Sequence, residues 1–297
     1  MRLDDFGMDA LTLPGTLDGK LDAIRKAGFS QVMLSAADLA GYPGGEDEAI
    51  RVVRESGLRV TGLQVLREFE GLSGQLHDYK VEVAKSMLEM ARAAGAPLLL
   101  VCSTTSPHAS GDLDAQVADL RKLAMLADPL RVRIAYEALS WGRFVDALPG
   151  AWALVQAADR ANLGLAIDAF HFVASGTPLD ALDEIYPGKL FLVQLSDFVG
   201  NAPASSDERR ETARHLRVFP GEGSHSDRLA ELIRAVDGIG YQGDYSFEVF
   251  NDDYVQMPPS RVAERARRSL DWIVSRVSRR GLPVRRATLP STARHAD

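Results

Sequence analysis

Short apolar, β-branched runs recur along the chain, each bounded by Gly, Pro or charged residues, and stretches with apolar positions three or four apart lie between them. Eight strands are predicted: FGMDALTL at 6–13, QVMLS at 31–35, RVTGLQVL at 59–66, PLLLVC at 97–102, RIAYEAL at 133–139, LGLAIDAF at 163–170, KLFLVQLSD at 189–197 and DYSFEVF at 244–250. The first carries the weakest pattern. Leu17, Leu21, Ile24 and Ala27 step along one helical face before Gly28, and Val83, Met87, Met90 and Ala94 do so before Gly95. KAGFSQV, RAAGAPLLL and GIGYQGDYSF share one grammar, a helix closed by glycine and a turn into a strand. Eight such units predict a single (β/α)8 TIM barrel over residues 1–275, and the glycine-rich turns of dinucleotide or P-loop sheets do not occur. Residues 198–225 show no sustained periodicity, which predicts a long functional loop before a helix begins near Leu229. A last helix is predicted from Arg261 to Val277. The stretch 276–297, with six arginines against Asp297, reads as a basic tail, either solvated or an oligomer contact.

The composition, 46% apolar and 25% charged over 297 residues, fits an ordinary globular protein. A formal charge of −7 argues against nucleic acid as a partner. Cys102 stands alone, so no internal disulfide can form, in keeping with a reducing compartment. The start, MRLDDFGMDA, has acids where a leader needs positive charge, and no apolar run approaches membrane-spanning length. A cytoplasmic protein without membrane contact is expected.

Four consecutive predicted strands each carry one polar residue in their C-terminal part: Glu137, Asp168, Gln194 and Glu248. Buried parallel strands read as continuous apolar runs, and a carboxylate left inside one must be paired or metal-bound. Strand ends converge at a barrel mouth, so the four oxygen donors can meet at one hard divalent cation, Mg2+ or Mn2+ ahead of Co2+ or Zn2+. Taken singly, each is equally a salt bridge or a helix cap. Residues two positions earlier, Ala135, Ala166, Leu192 and Ser246, should also face inward, and three of them are small. His171, just past its strand, is placed to move a proton or to hydrogen-bond within its loop. Arg67 follows the third strand and can bind a substrate carboxylate or phosphate, or pair with Glu68 or Glu70. Arg214, His215 and Arg217 bring cationic groups from the long loop. Ser103 can donate to substrate, whereas Cys102 reads as a buried strand residue. The other histidines show no ligand spacing.

LPGTLDGKLDAIRKAGF at 13–29, VLREFEGL at 65–72, LLLVCSTTSP at 98–107, YEALSWG at 136–142, GLAIDAFH at 164–171, LFLVQLSD at 190–197, RHLRVFPGEG at 214–223 and FEVFNDD at 247–253 carry a resemblance. They resemble the xylose-isomerase-like TIM barrels, also called sugar phosphate isomerases/epimerases, and within them the bacterial 3-dehydroshikimate dehydratases. The resemblance implies a metal-dependent lyase that dehydrates 3-dehydroshikimate to protocatechuate through a metal-stabilised enolate. It implies metal ligands at Glu137, Asp168, Gln194 and Glu248, an active-site histidine at His171, and substrate contacts at Arg67, His215 and Arg217, to which the reading of the residues adds Ser103; Glu137 and Glu248 are expected to be catalytic as well as ligands. The substrate so implied is a small carboxylated cyclic polyol or sugar. The chain departs from the pattern in having Met33 and Ala36 where relatives carry acids, and FPGEG for FPGQG. It also leaves no room for the dioxygenase-like second domain of some relatives. A sugar or cyclic-polyol isomerase or epimerase of the same superfamily and a non-catalytic metabolite-binding barrel are the competing readings. Family epimerases place a histidine where Gln194 stands.

Overall fold

The structure, a computed structural model, describes residues 3–278. In chain order its elements are β1 (Phe6–Asp9), α1 (Leu17–Lys26), β2 (Gln31–Ser35), α2 (Ala36–Ala40), α3 (Glu46–Glu55), β3 (Arg59–Leu66), α4 (Gly74–Ala94), β4 (Leu98–Cys102), α5 (Leu113–Ala127), β5 (Arg133–Glu137), α6 (Leu148–Ala158), β6 (Leu163–Asp168), α7 (Ala169–Ala174), β7 (Leu190–Leu195), β8 (Asp197–Phe198), α8 (Ser206–His215), β9 (Arg217–Val218), α9 (Ser226–Gly238), β10 (Asp244–Phe247) and α10 (Pro259–Ser278). Strands β1 to β7 and β10 pair in parallel and close a barrel, while β8 and β9 form a small antiparallel ribbon in the β7–β10 connection.

All eight predicted strands form, and five of them stop earlier than their apolar runs do. The side chains at their ends explain two of the stops. Asp168 Oδ1 accepts from the Phe170 N–H at 2.7 Å and starts α7, and Asp9 Oδ1 accepts from the Leu11 N–H at 3.2 Å and starts a short 3-10 turn. The acid that ends the strand thus caps the next turn.

Helices bury the faces that the spacing requires, with one shift of phase. In α1, Leu17, Leu21 and Ile24 are buried as predicted. In α4 the buried seam is Val81, Ala84, Leu88, Ala91 and Ala94, and Val83 and Met87 lie at its flank. The segment read as loop, 198–225, contains helix α8. Its sequence SDERRETARH buries only Ala213, so no apolar period marks it. The helix begins with a reciprocal capping box between Ser205 and Glu208, a signal independent of hydrophobicity. Helix α10 runs on to Ser278, and Arg276 pairs with Asp227 of α9. The rest of the predicted basic tail, 279–297, lies outside the described residues.

Inside the barrel, Ala135, Ala166 and Leu192 pack with Met33, Leu98, Leu100 and Phe191, and Ser246 is buried as well. The residues one layer below the polar four therefore point inward. Met33 fills interior volume beneath the mouth, where an acid would be out of reach of solvent. At the floor, the Phe191 ring occupies the space left by Gly164, where a Cβ would come within 2.7 Å of the ring. We expect Gly164→Ala to destabilise the protein by about 1–3 kcal/mol through overpacking. Urea unfolding followed by circular dichroism measures this; an unchanged midpoint would show that the floor is loosely packed.

Candidate metal and substrate site

Strand register brings the polar residues into adjacent positions at one end of the barrel. Asp168 lies opposite Gln194, Gln194 opposite Ser246, and Glu137 opposite Ala166. Glu137 thus enters one layer lower than Asp168, and Glu248, two residues beyond Ser246, one layer higher. All four side chains are buried. Glu137, Asp168 and His171 bring ligand-type atoms within 4.8 Å of one another. Like charges about 4 Å apart repel by roughly 4 kcal/mol at an effective dielectric near 20, so cations must be shared among these acids.

Arg217 supplies one cation from β9. Its Nη1 donates to Asp168 Oδ2 at 2.6 Å, to Glu248 Oε2 at 3.1 Å and to Ser196 Oγ at 3.2 Å, and its Nε donates to Ala213 O at 2.7 Å. The rings of Phe170 and Phe250 flank the guanidinium at 4.8 and 5.3 Å. Burial opposes ionisation of Asp168, but Arg217 and His171 outweigh it and keep the carboxyl below its usual value. Burial, aided by Asp168, lifts Glu137 to about 7. It also lifts Glu248, against Arg217.

The orientation of His171 is set from behind. Ser140 N–H donates to Nδ1 at 3.1 Å, and the Ser140 hydroxyl lies 3.0 Å from the same nitrogen. With that lone pair engaged, the neutral ring carries its proton on Nε2, which lies 3.8 Å from Glu137 Oε1 and 3.7 Å from Asp168 Oδ2. Burial, aided by Arg217 and Arg67, pushes the imidazole down to about 3 despite Asp168, so it is neutral at pH 7. Its Nε2–H faces the acids as a donor and leaves ligation to oxygen atoms.

Those oxygens fit a divalent cation. Gln194 Nε2 donates to Asp9 Oδ2 at 3.2 Å, which turns Oε1 the other way, and that buried oxygen has no hydrogen-bond partner. Carboxylates and an amide oxygen form a hard donor set.

Beside the acids opens a small cleft that Arg67, Glu137, Trp141, His171, Arg214, Arg217 and Glu248 help to line. Arg67 pairs with neither Glu68 nor Glu70. Glu68 accepts from Thr104 and Thr105, and Glu70 accepts from Thr104 N–H and the Tyr136 hydroxyl. Two expected substrate contacts lie elsewhere. Ser103 is buried behind the wall, where its Oγ accepts from the Leu139 N–H at 2.9 Å. His215 points outward to Asp252 Oδ1 at 3.0 Å, a bond that raises its pKa. The third, Arg217, lines the cleft but is engaged as a counter-ion. Glu222, the departure in FPGEG, accepts from Tyr254 Oη at 3.2 Å and Arg265 Nη2 at 2.8 Å, so its charge is met outside the cleft.

Sequence reasoning missed Asp9, a fully buried carboxylate at the end of β1 that Gln64 and Gln194 both contact. Burial lifts it to about 8 against those donors. The signal was present in FGMD, a strand ending in an acid as LGLAID does. Trp141 was also missed as a cleft wall; its ring packs edge-on to His171 with centroids 4.9 Å apart.

A closed parallel barrel with buried acids at one rim defines a class of metal-assisted barrel proteins. The chain belongs to the xylose isomerase-like TIM barrel family, whose signature matches residues 21–276. It is 38% identical over 265 residues to the 3-dehydroshikimate dehydratase of Pseudomonas aeruginosa, an alignment that covers 89% of this chain and 40% of that protein. With the 3-dehydroshikimate dehydratase of Neurospora crassa it shares 27% identity, over 86% of this chain and 88% of the other. A solved xylose isomerase-like TIM barrel/4-hydroxyphenylpyruvate dioxygenase fusion protein superimposes with a TM-score of 0.86 at 32% identity, over 93% of this chain and 43% of that one. The chain spans about two fifths of the length of the Pseudomonas dehydratases it matches.

Removing the Arg217 charge would leave Asp168 and Glu248 buried without it. We expect Arg217→Met to lose about 3–5 kcal/mol in metal-free protein, with part regained when Mn2+ is added. Thermal melts with and without Mn2+ measure both effects; equal melting of variant and wild type would show that the acids do not depend on Arg217.

Proposed function

We propose that this barrel is a divalent-metal-dependent lyase that removes water from 3-dehydroshikimate to give protocatechuate. The observation that carries the reading is the barrel mouth, where buried carboxylates and an orphaned amide oxygen lie beside an imidazole N–H and two arginines that form no ion pair among the described residues. The similarity to dehydratases supports the substrate. Glu137, Asp168, Gln194 and Glu248 would hold the cation, with Mg2+ or Mn2+ matching their oxygen donors best. Bound there, the cation supplies Lewis-acid polarisation of a carbonyl or hydroxyl oxygen.

The chain's own groups divide the proton work. Elimination needs a base for a ring proton beside the ketone and a donor for the departing hydroxyl. The neutral His171 hydrogen-bonds the departing hydroxyl through its Nε2–H and keeps that proton. The acceptor falls to Glu137 or Glu248, which line the cleft, and the carboxyl so formed passes its proton to the departing hydroxyl, so that water leaves. Arg67 offers a guanidinium to the oxygen substituents of the substrate and so fixes which ring face meets the base. Loss of water and enolisation leave an aromatic ring, which makes the reaction downhill. The free, buried thiol of Cys102 suits a reducing cytoplasm, and among the described residues no helix is long and apolar enough to cross a membrane.

Purified protein mixed with Mn2+ and 3-dehydroshikimate should develop the ultraviolet absorbance of protocatechuate, and EDTA should abolish it. Isomerised but non-aromatic product would favour the sugar or polyol isomerase reading, and Mn2+ binding without turnover a binding barrel. Glu137→Ala and Glu248→Ala should lose both metal and activity. His171→Ala should keep the metal while turnover slows by about 10²–10⁴-fold; an unchanged rate would remove the imidazole from the chemistry.

A further inference from the structure

Two arginines that line the cleft, Arg67 and Arg214, have no ion-pair partner among the described residues. Arg217 bridges Asp168 and Glu248, and Arg209 Nη1 donates to Ser140 O at 2.9 Å. Arg67 forms no ion pair among the described residues, but it leans over the acid floor, close enough to Glu137 and Cys102 to favour their ionised forms. Arg214 differs. It lines the same cleft from the last turn of α8, and no carboxylate pairs with it among the described residues. Its guanidinium lies 6.0 Å from the centre of the Trp141 ring, and Trp141 in turn packs on His171. The indole gives the guanidinium a fixed bed without neutralising it.

Charge arithmetic points the same way. Glu137, Asp168, Glu248 and the buried Asp9 carry at most four negative charges, which Arg217, Arg67 and the two charges of a divalent cation match. That leaves Arg214 as surplus positive charge beside a small cleft, an arrangement that favours an anion. We propose that Arg214 is the specificity-determining contact for the substrate's carboxylate, taking the place that the sequence assigned to His215 and Arg217. Its fork accepts a carboxylate in two parallel hydrogen bonds, on the wall that also carries the His171 donor. Helix α8 delivers it. Ala213, buried against Phe170 and Phe198, and Arg209 on Ser140 O set the phase of the helix, and Arg214, one residue on, lines the cleft.

This inference rests on the dehydratase reading only in taking the ligand to be a small ring acid. The test is calorimetric titration of Mn2+-loaded protein with 3,4-dihydroxybenzoate and with its methyl ester, which keeps the ring and hydroxyls but loses the charge. Wild type should prefer the acid by about thirtyfold, the size of one charge-assisted hydrogen-bonded contact. Arg214→Met, which keeps an unbranched chain on Trp141, should bind the ester as wild type does and lose most of the preference for the acid. Arg214→Lys should restore part of it. In turnover the Met variant should raise KM for 3-dehydroshikimate with kcat little changed, the pattern of lost ground-state binding. Equal losses for acid and ester, a preference kept by Arg214→Met, or no binding of either compound by wild type would overturn the assignment. Selectivity that depends on Arg214 in a protein that forms no protocatechuate would sink the dehydratase reading and leave this one standing.

Discussion

Three carboxylates buried in one barrel mouth are the constraint around which the neighbouring structure is arranged. Removing one partner from a buried ion pair costs about 3–5 kcal/mol, against a total folding stability of about 5–15 kcal/mol. Arg217 offsets part of that cost, and placing it requires an excursion from the barrel. The β8–β9 ribbon sets Arg217 opposite Phe198, its N–H donates to Phe250 O at 3.0 Å, and Asn251 Nδ2 donates to its carbonyl at 2.7 Å. One guanidinium against three acids still leaves the mouth short of positive charge. The protonation tendencies of Glu137 and Glu248 express that shortage, and a divalent cation relieves it.

The barrel was legible because buried parallel strands leave an apolar signature, and a single acid interrupting such a run stands out. Glu137, Asp168, Gln194 and Glu248 were found by that contrast, and the register places them side by side. Asp9 escaped because β1 is short and continues into a turn with apolar residues, so its acid looked like the middle of a weak run. What stayed hidden depended on α8. Successive helical residues point about 100° apart, so whether residue 214 or 215 faces the cleft is decided by the phase of a helix that has no apolar stripe. Its only sequence mark is the Ser205–Glu208 capping box. That signal gives a start, and the docking of Ala213 and Arg209 gives the phase.

The proton on His171 is a second property that no motif carries. GLAIDAFH places an imidazole beside Asp168, which fits a ligand, a base or an acid equally well. The choice is made by a backbone N–H thirty-one residues upstream: Ser140 occupies Nδ1 and leaves Nε2–H facing Glu137 and Asp168. Glu137 is itself oriented from the other side, where the Cys102 thiol donates to Oε2 at 3.0 Å. One carboxylate oxygen thus meets a thiol and the other faces the imidazole. Cys102 therefore has a position in the site without being a nucleophile, because burial and the adjacent Glu137 raise its pKa and oppose the thiolate.

The two walls of the cleft are held by different means. On the Arg67 side the chain is stitched down. Glu68 adopts φ 56° in the left-handed region, a conformation that costs a non-glycine residue about 1–3 kcal/mol. Its carboxylate accepts from Thr104 Oγ1 at 2.7 Å, Thr105 N at 3.0 Å and Thr105 Oγ1 at 2.6 Å. Despite burial, those donors hold its pKa below the usual value, the mark of charge-assisted bonds strong enough to offset the strain. They tie the loop after β3 to the loop after β4. On the Arg214 side a polar helix that buries one alanine is held by Arg209 on Ser140 O, by Arg217 Nε on Ala213 O and by His215 on Asp252. Both walls are thus fixed by polar bonds more than by apolar packing, and each carries one guanidinium with no ion pair among the described residues.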